Sequence, residues 1–223
     1  MANKAADVAL LRRTFRVALE AGALESGPSS PARTIVADAV AALGTRGARP
    51  QTIAEYAATS TTLTRTTWED VGRALAGAPE DVPQAAVGAG GPVRSSDLVN
   101  LAVCALTASL MTAGIEPPRA ALVASARTLA AIAAERYPGR TIEVRVPPAA
   151  AVQIGFGTGP VHTRGTPPNV IETDPATFVR LGTGGLAWDA ALAAHLVTAS
   201  GDAADLSAAL PLLDLRVSPP PAR

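Results

Sequence analysis

Cysteine is nearly absent from this 223-residue chain: Cys104 stands alone, which excludes an internal disulfide and any zinc site built on cysteines. Lysine is just as scarce. Lys4 is the only one, so nearly all positive charge is arginine. Acidic and basic residues balance at a formal net charge of +0, which leaves no electrostatic footprint for a nucleic acid or an anionic membrane. Histidine occurs only at positions 162 and 195, two residues that do not make a ligand cluster, so no metal site is expected. What is abundant is alanine, about a fifth of the chain.

The length allows one large domain or two small ones, and the change of texture near residue 117 favours two. Charged residues from Lys4 to Glu20 interrupt the place where a signal peptide needs an apolar core. With a lone thiol, this makes a cytoplasmic location the expectation. Leu98 to Ile115 carries no charge and approaches spanning length, but Asn100, Thr107, Ser109 and Thr112 interrupt it and no aromatic belt flanks it. A buried bundle helix is the expected reading, with no integral membrane segment.

Helical spacing of Val8, Leu11, Phe15, Ala18 and Leu19 predicts a first helix over residues 5–25. Ser30-Pro31 opens a second, running to Leu43 and burying Ile35, Val36 and Val40. A third is expected over 52–76, weakened by the threonine-rich run 59–67. Residues 79–92 read as a Gly/Pro-rich connector before the uncharged helix, and these four helices are expected to form a bundle. After Glu116-Pro-Pro118 comes an amphipathic helix from Arg119 to Tyr137, and then the period switches to two. Strands are expected at 141–147, with Ile142, Val144 and Val146 inward, and at 150–154, 160–164 and 169–173. Asp174-Pro175 caps a further helix carrying Phe178 and Leu181 inward. Helix 186–194, strand 195–200, a last helix from 202 to 211 and a disordered tail 217–223 complete the expectation.

The least alanine-rich stretch, residues 155–174, gathers His162, Thr163, Arg164, Asn169, Glu172 and Asp174 among turn formers. No nucleophile-elbow, Walker or dinucleotide signature surrounds either histidine, so no catalytic residue is assigned. Gly155–Gly159 lacks the lysine and the following helix of a phosphate loop and reads as a hairpin turn. Arg164 could pair with Glu172 or Asp174, or could face a ligand carboxylate. Asn169 is expected to satisfy turn amides. His195, at a helix end, suits a capping or dipole role, and Cys104 and Trp188 suit core positions.

Ile142-Glu-Val-Arg-Val-Pro-Pro148, Ala151-Val-Gln153, the run from Gly159 through His162-Thr-Arg-Gly-Thr-Pro-Pro-Asn-Val170 to Pro175, and later Thr177-Phe178, Gly184, Leu186, Trp188, Ala199-Ser-Gly201, Ala204-Asp-Leu-Ser207 and Leu210-Pro211 resemble the actinobacterial sterol-carrier-like family, bacterial counterparts of sterol carrier protein 2. The resemblance covers about residues 118–215. It implies an α/β layer with a mainly antiparallel sheet and an apolar tunnel for a fatty acyl chain, acyl-CoA or sterol. Val152, Ile154, Phe156, Phe178, Leu181, Leu186, Trp188 and Leu192 are the implied lining, with His162 and Arg164 at the mouth.

Gly90-Gly-Pro-Val-Arg-Ser-Ser-Asp97 before a helix resembles the helical domain of mycothiol-dependent maleylpyruvate isomerase-type proteins, in the DinB-like class. That family carries a Glu-x-x-x-His metal pair in the helix, and Val103–Ser109 has neither residue. The expectation is therefore an α+β protein: a degenerate DinB-like helical bundle over 1–116 and a sterol-carrier-like domain over 117–216. It would bind a lipid or other apolar small molecule, with transfer as a further expectation, without catalysis and without a cofactor. A degenerate isomerase or transferase acting through His162 and Arg164, and a partner-binding scaffold, are the alternatives, and a homodimer is left open.

Overall fold

The computed structural model describes residues 7–24, 30–47, 49–59, 66–79, 82–156 and 167–216. Helix α1 (Val8–Glu20) starts where Asp7 accepts the amide of Leu10 at 2.8 Å, and it buries Val8, Leu11, Phe15 and Ala18. Leu19, expected inward, is 56% exposed, because the helix turns that position away from the core its neighbours fill. Helix α2 (Pro31–Ala42) has Ser30 as cap and proline at its start, and Ile35, Val36 and Val40 are buried as expected.

The expected third helix is two, α3 (Ile53–Thr59) and α4 (Trp68–Ala76), among the described residues. Thr67 and Asp70 form a reciprocal capping box that restarts the helix after the threonine-rich run. The connector holds an antiparallel hairpin, β1 (Ala85–Gly88) and β2 (Gly91–Arg94). Its strands are too short and glycine-rich to show alternation, and tertiary bonds hold them. The Thr45 hydroxyl accepts from the Val87 amide at 2.8 Å, and the Gly47 amide donates to Ala85 at 2.9 Å. Asp38 accepts from the Ala89 amide at 2.6 Å and from the Tyr56 hydroxyl.

Helix α5 (Ser95–Thr112) is the uncharged segment, and it is the helix long and apolar enough by length and composition to cross a membrane. Its 67% burial inside the fold makes it a core helix, and there is no clear membrane segment among the described residues. Helices α1 and α2 pack on it. So does α6 (Arg119–Arg136), reached through the loop 113–118 where the domain boundary was expected. The described N-terminal part thus has five helices and a hairpin arranged about α5, rather than four helices alone.

Beyond α6 come β3 (Pro138–Val146), β4 (Ala150–Ile154), β5 (Asn169–Thr173), α7 (Pro175–Gly182), α8 (Trp188–Ala193), β6 (Val197–Ser200) and a 3-10 turn at Ser207–Ala209. The sheet order is β4-β3-β5-β6, with β3 and β5 parallel and the two outer pairings antiparallel. Ile142, Val144 and Val146 point inward, in register with Ile171 and Ile154 on their neighbours, and α6 covers this face. The overall class is mixed helix and sheet, as expected. Strand 160–164 and the tail fall outside the described residues.

Two expectations in this half need correction. Residues 202–211 form no α-helix. A single 3-10 turn stands there, started by Asp205, which accepts the Ser207 amide at 2.7 Å. His195 and Leu196 belong to the end of α8 rather than to β6. Their amides donate to Leu192 and Ala191 at 3.0 Å each, a Schellman closure with His195 in the left-handed region at φ 54.

Candidate functional site

Asn169 is where the polar segment 155–174 can be followed. Buried at the start of β5, its amide nitrogen donates to Thr141 at 2.9 Å and its oxygen accepts from the Ala203 amide at 2.9 Å. It therefore satisfies a loop amide, as expected, and it also ties β3 and the 201–203 turn together. Asp174 caps α7 by accepting from Ala176 at 2.8 Å and Thr177 at 3.0 Å. Burial alone would raise its carboxyl, but the hydrogen bonds from Thr177 and Ala176 outweigh that and hold it below the ordinary value of 3.8. Glu172 is exposed on β5. His162 and Arg164 lie outside the described residues.

The implied lining residues divide by depth. Ile154, Phe178 and Leu181 are no more than 1% exposed, and Trp188 is also buried, all within the apolar core. Val152, Phe156, Leu186 and Leu192 are partly buried and pack against that core. Phe156 meets Tyr137 edge-on at a centroid distance of 5.0 Å, closing the bulged end of the β3–β4 pair. Cys104 is fully buried in α5, and burial pushes its thiol up to about 12 despite a hydrogen bond with Ser125. That makes it an inert core residue.

Among the described residues, open space lies where the end of α5 meets the end of α7. A cleft of about 610 Å³ is bordered by Met111, Ile115, Glu116, Pro117, Ala176 and Arg180. An adjoining one of about 340 Å³ is bordered by Ser30, Ala32, Ala105, Ser109, Leu215 and Arg216. The two share Ala108, Thr112, Thr183 and Gly185, so they read as one trough along α5. None of the eight described residues among those implied by the family resemblance borders either cleft. The sequence did carry one trace of it, because Ser109 and Thr112 were the polar breaks in an apolar run. Nothing in the chain linked them to Arg180 or Thr183, some seventy residues away.

The far wall of this trough is fixed by the last described segment. Leu212 and Leu213 amides both donate to the Gly182 carbonyl at 2.9 Å, Leu215 donates to that of Thr183 at 3.2 Å, and the Leu186 amide donates to the backbone carbonyl of Arg180 at 3.1 Å. Arg136 of α6 grips the same segment by donating to the Leu212 carbonyl at 2.9 Å. The carbonyls at the end of α7 are thereby satisfied by backbone rather than by water.

Comparison with curated proteins finds no match. Residues 118–212, from the start of α6 to the segment that closes α7, match the family model described as bacterial SCP ortholog, so this part of the chain is sterol-carrier-like, with lipid binding or transfer as the family-level role.

Proposed function

We propose that the protein is a non-enzymatic, cytoplasmic binder of a lipid such as a fatty acyl chain or a sterol, with transfer of that lipid as its working step. The observation that supports this reading is the family match over residues 118–212, on a sheet whose apolar face is roofed by helices. Such a function needs a dry concave surface and a few polar groups at its rim, and burial of a chain at about 0.8 kcal/mol per methylene supplies the affinity. His162 and Arg164 are our candidates for the rim, with Val152, Phe156, Leu186 and Leu192 nearest the surface among the implied lining.

The test is native mass spectrometry of the full chain purified from its own host, followed by titration of the delipidated protein with fatty acids and sterols. A bound lipid, or saturable micromolar binding of either class, supports the proposal. A protein that leaves its host empty and binds neither class would overturn it.

A further inference from the structure

We infer that the trough between α5 and α7 is the binding site for a single-chain amphiphile with a carboxylate head, its chain lying along Ala105–Thr112 and its head meeting Arg180. This rests on the lipid-binding reading above, and places the ligand in this trough, apart from the lining and rim that the family resemblance implies, with its head as the part recognised.

The trough has the size of a ligand site. Its wider cleft holds about 610 Å³, within the range of small-molecule pockets. The α5 wall from Ala105 to Thr112 spans about 10 Å at 1.5 Å per residue. Two of its four bordering hydroxyls are withdrawn from it. Ser109 donates to the Ala105 carbonyl at 3.2 Å and Thr183 to the Val179 carbonyl at 2.7 Å, so both donors are turned into their own helices.

Charge then selects the head. Arg216, at one end, is held by Asp214 through two bonds of 2.8 and 2.6 Å, which offsets its charge. Arg180, at the other end, makes no side-chain hydrogen bond or ion pair among the described residues. Glu116 borders the same cleft but is exposed on the loop and forms no ion pair with Arg180. Two helix ends meet here, and open carbonyls would repel an anion. They are largely closed: the α7 carbonyls by Leu186, Leu212, Leu213 and Leu215, and those of α5 by Gly114 and Ile115. A carboxylate thus finds an available fork in Arg180, exposed at the rim, whereas a neutral lipid would leave that fork to solvent.

The site is built by both halves of the chain, since α5 precedes the region of the family match and α7 lies within it. The experiment compares palmitate with hexadecanol, which has the same chain without the carboxylate, on the delipidated full-length protein by calorimetry. Arg180→Gln is expected to weaken palmitate about tenfold and leave hexadecanol unchanged. Thr112→Trp, at an exposed position bordering both clefts, is expected to abolish binding of both while the circular dichroism stays that of the parent. If both variants bind palmitate as the parent does, the site is elsewhere and only this inference falls. If the parent binds neither palmitate nor a sterol, the lipid reading falls with it.

Discussion

At the scale of single residues, the clearest lesson is how a side chain's chemistry and its backbone role separate. His195 drew notice as one of two histidines, yet its position is set by φ 54 at the close of α8, where α1, α5 and α7 each place glycine. An L residue there costs about 1–2 kcal/mol, partly recovered by lower entropy in the unfolded chain. His195→Gly is therefore expected to stabilise the protein by about 0.5–1 kcal/mol in urea unfolding. The reverse holds at Gly201, with φ 104. A methyl group there would sit 2.7 Å from the Pro168 carbonyl and against the Asn169 side-chain oxygen. Gly201→Ala is expected to cost about 2–4 kcal/mol, because it loosens the turn that Asn169 fastens to β3. Cys104 gives a pH signature. Its thiol has a raised folded pKa, so the stability it contributes is complete below 9.0 and is lost as pH climbs toward about 12. The unfolding midpoint should fall over that window in the parent and fall less in Cys104→Ala.

At the scale of elements, caps mark where helices begin more faithfully than hydrophobic periodicity marks where they end. Ser30-Pro31 and Asp174-Pro175 are visible in the sequence and cap α2 and α7 in the structure. Asp174→Ala should cost about 1 kcal/mol. Because its folded pKa is depressed, the carboxylate's contribution is present above the ordinary 3.8 and disappears as pH falls below it, so the parent and the variant should converge in acid unfolding. Strands β3 and β4 were equally legible, since alternation survives wherever one face is buried. The hairpin β1–β2 was not, because Ala85–Gly88 and Gly91–Arg94 take their conformation from Asp38, Thr45 and Gly47, which lie up to fifty residues earlier. The expected last helix failed for a related reason. Its alanines carry helical propensity, but Leu206, Leu212 and Leu213 find burial in an irregular path against the core, and tertiary packing overrides propensity. The trough was illegible for the same cause: its walls come from segments that no local pattern joins.

At the scale of the whole molecule, one apolar core runs from Val8 to Leu213, with α5 at its centre. Helix α6 is shared. Ser125 donates to Thr107 of α5 at 3.1 Å, while Glu135, at its other end, accepts the amide of Ala54 at the start of α3 at 3.0 Å. The side of α6 that meets α5 and α3 would be uncovered in a fragment of residues 118–216. That fragment is expected to unfold at lower urea than the full chain, and to bind more of a hydrophobic dye than the full chain does, which circular dichroism and dye fluorescence will check. Glu135→Gln in the full chain should have a smaller effect, about 1 kcal/mol, because it weakens the charged cap on α3 while sparing the packing.

The segment Leu212–Leu215 has a consequence for how the molecule is made. It supplies the hydrogen bonds that close α7, yet it is synthesised about thirty residues after that helix. During vectorial synthesis the last turn of α7 leaves the ribosome with its carbonyls facing water, and the far wall of the trough does not exist until residue 215 has itself emerged. A nascent chain stalled with its exposed part ending at Leu210 would hold nearly every element of the fold and still lack the wall that Leu215 and Arg216 give the smaller cleft.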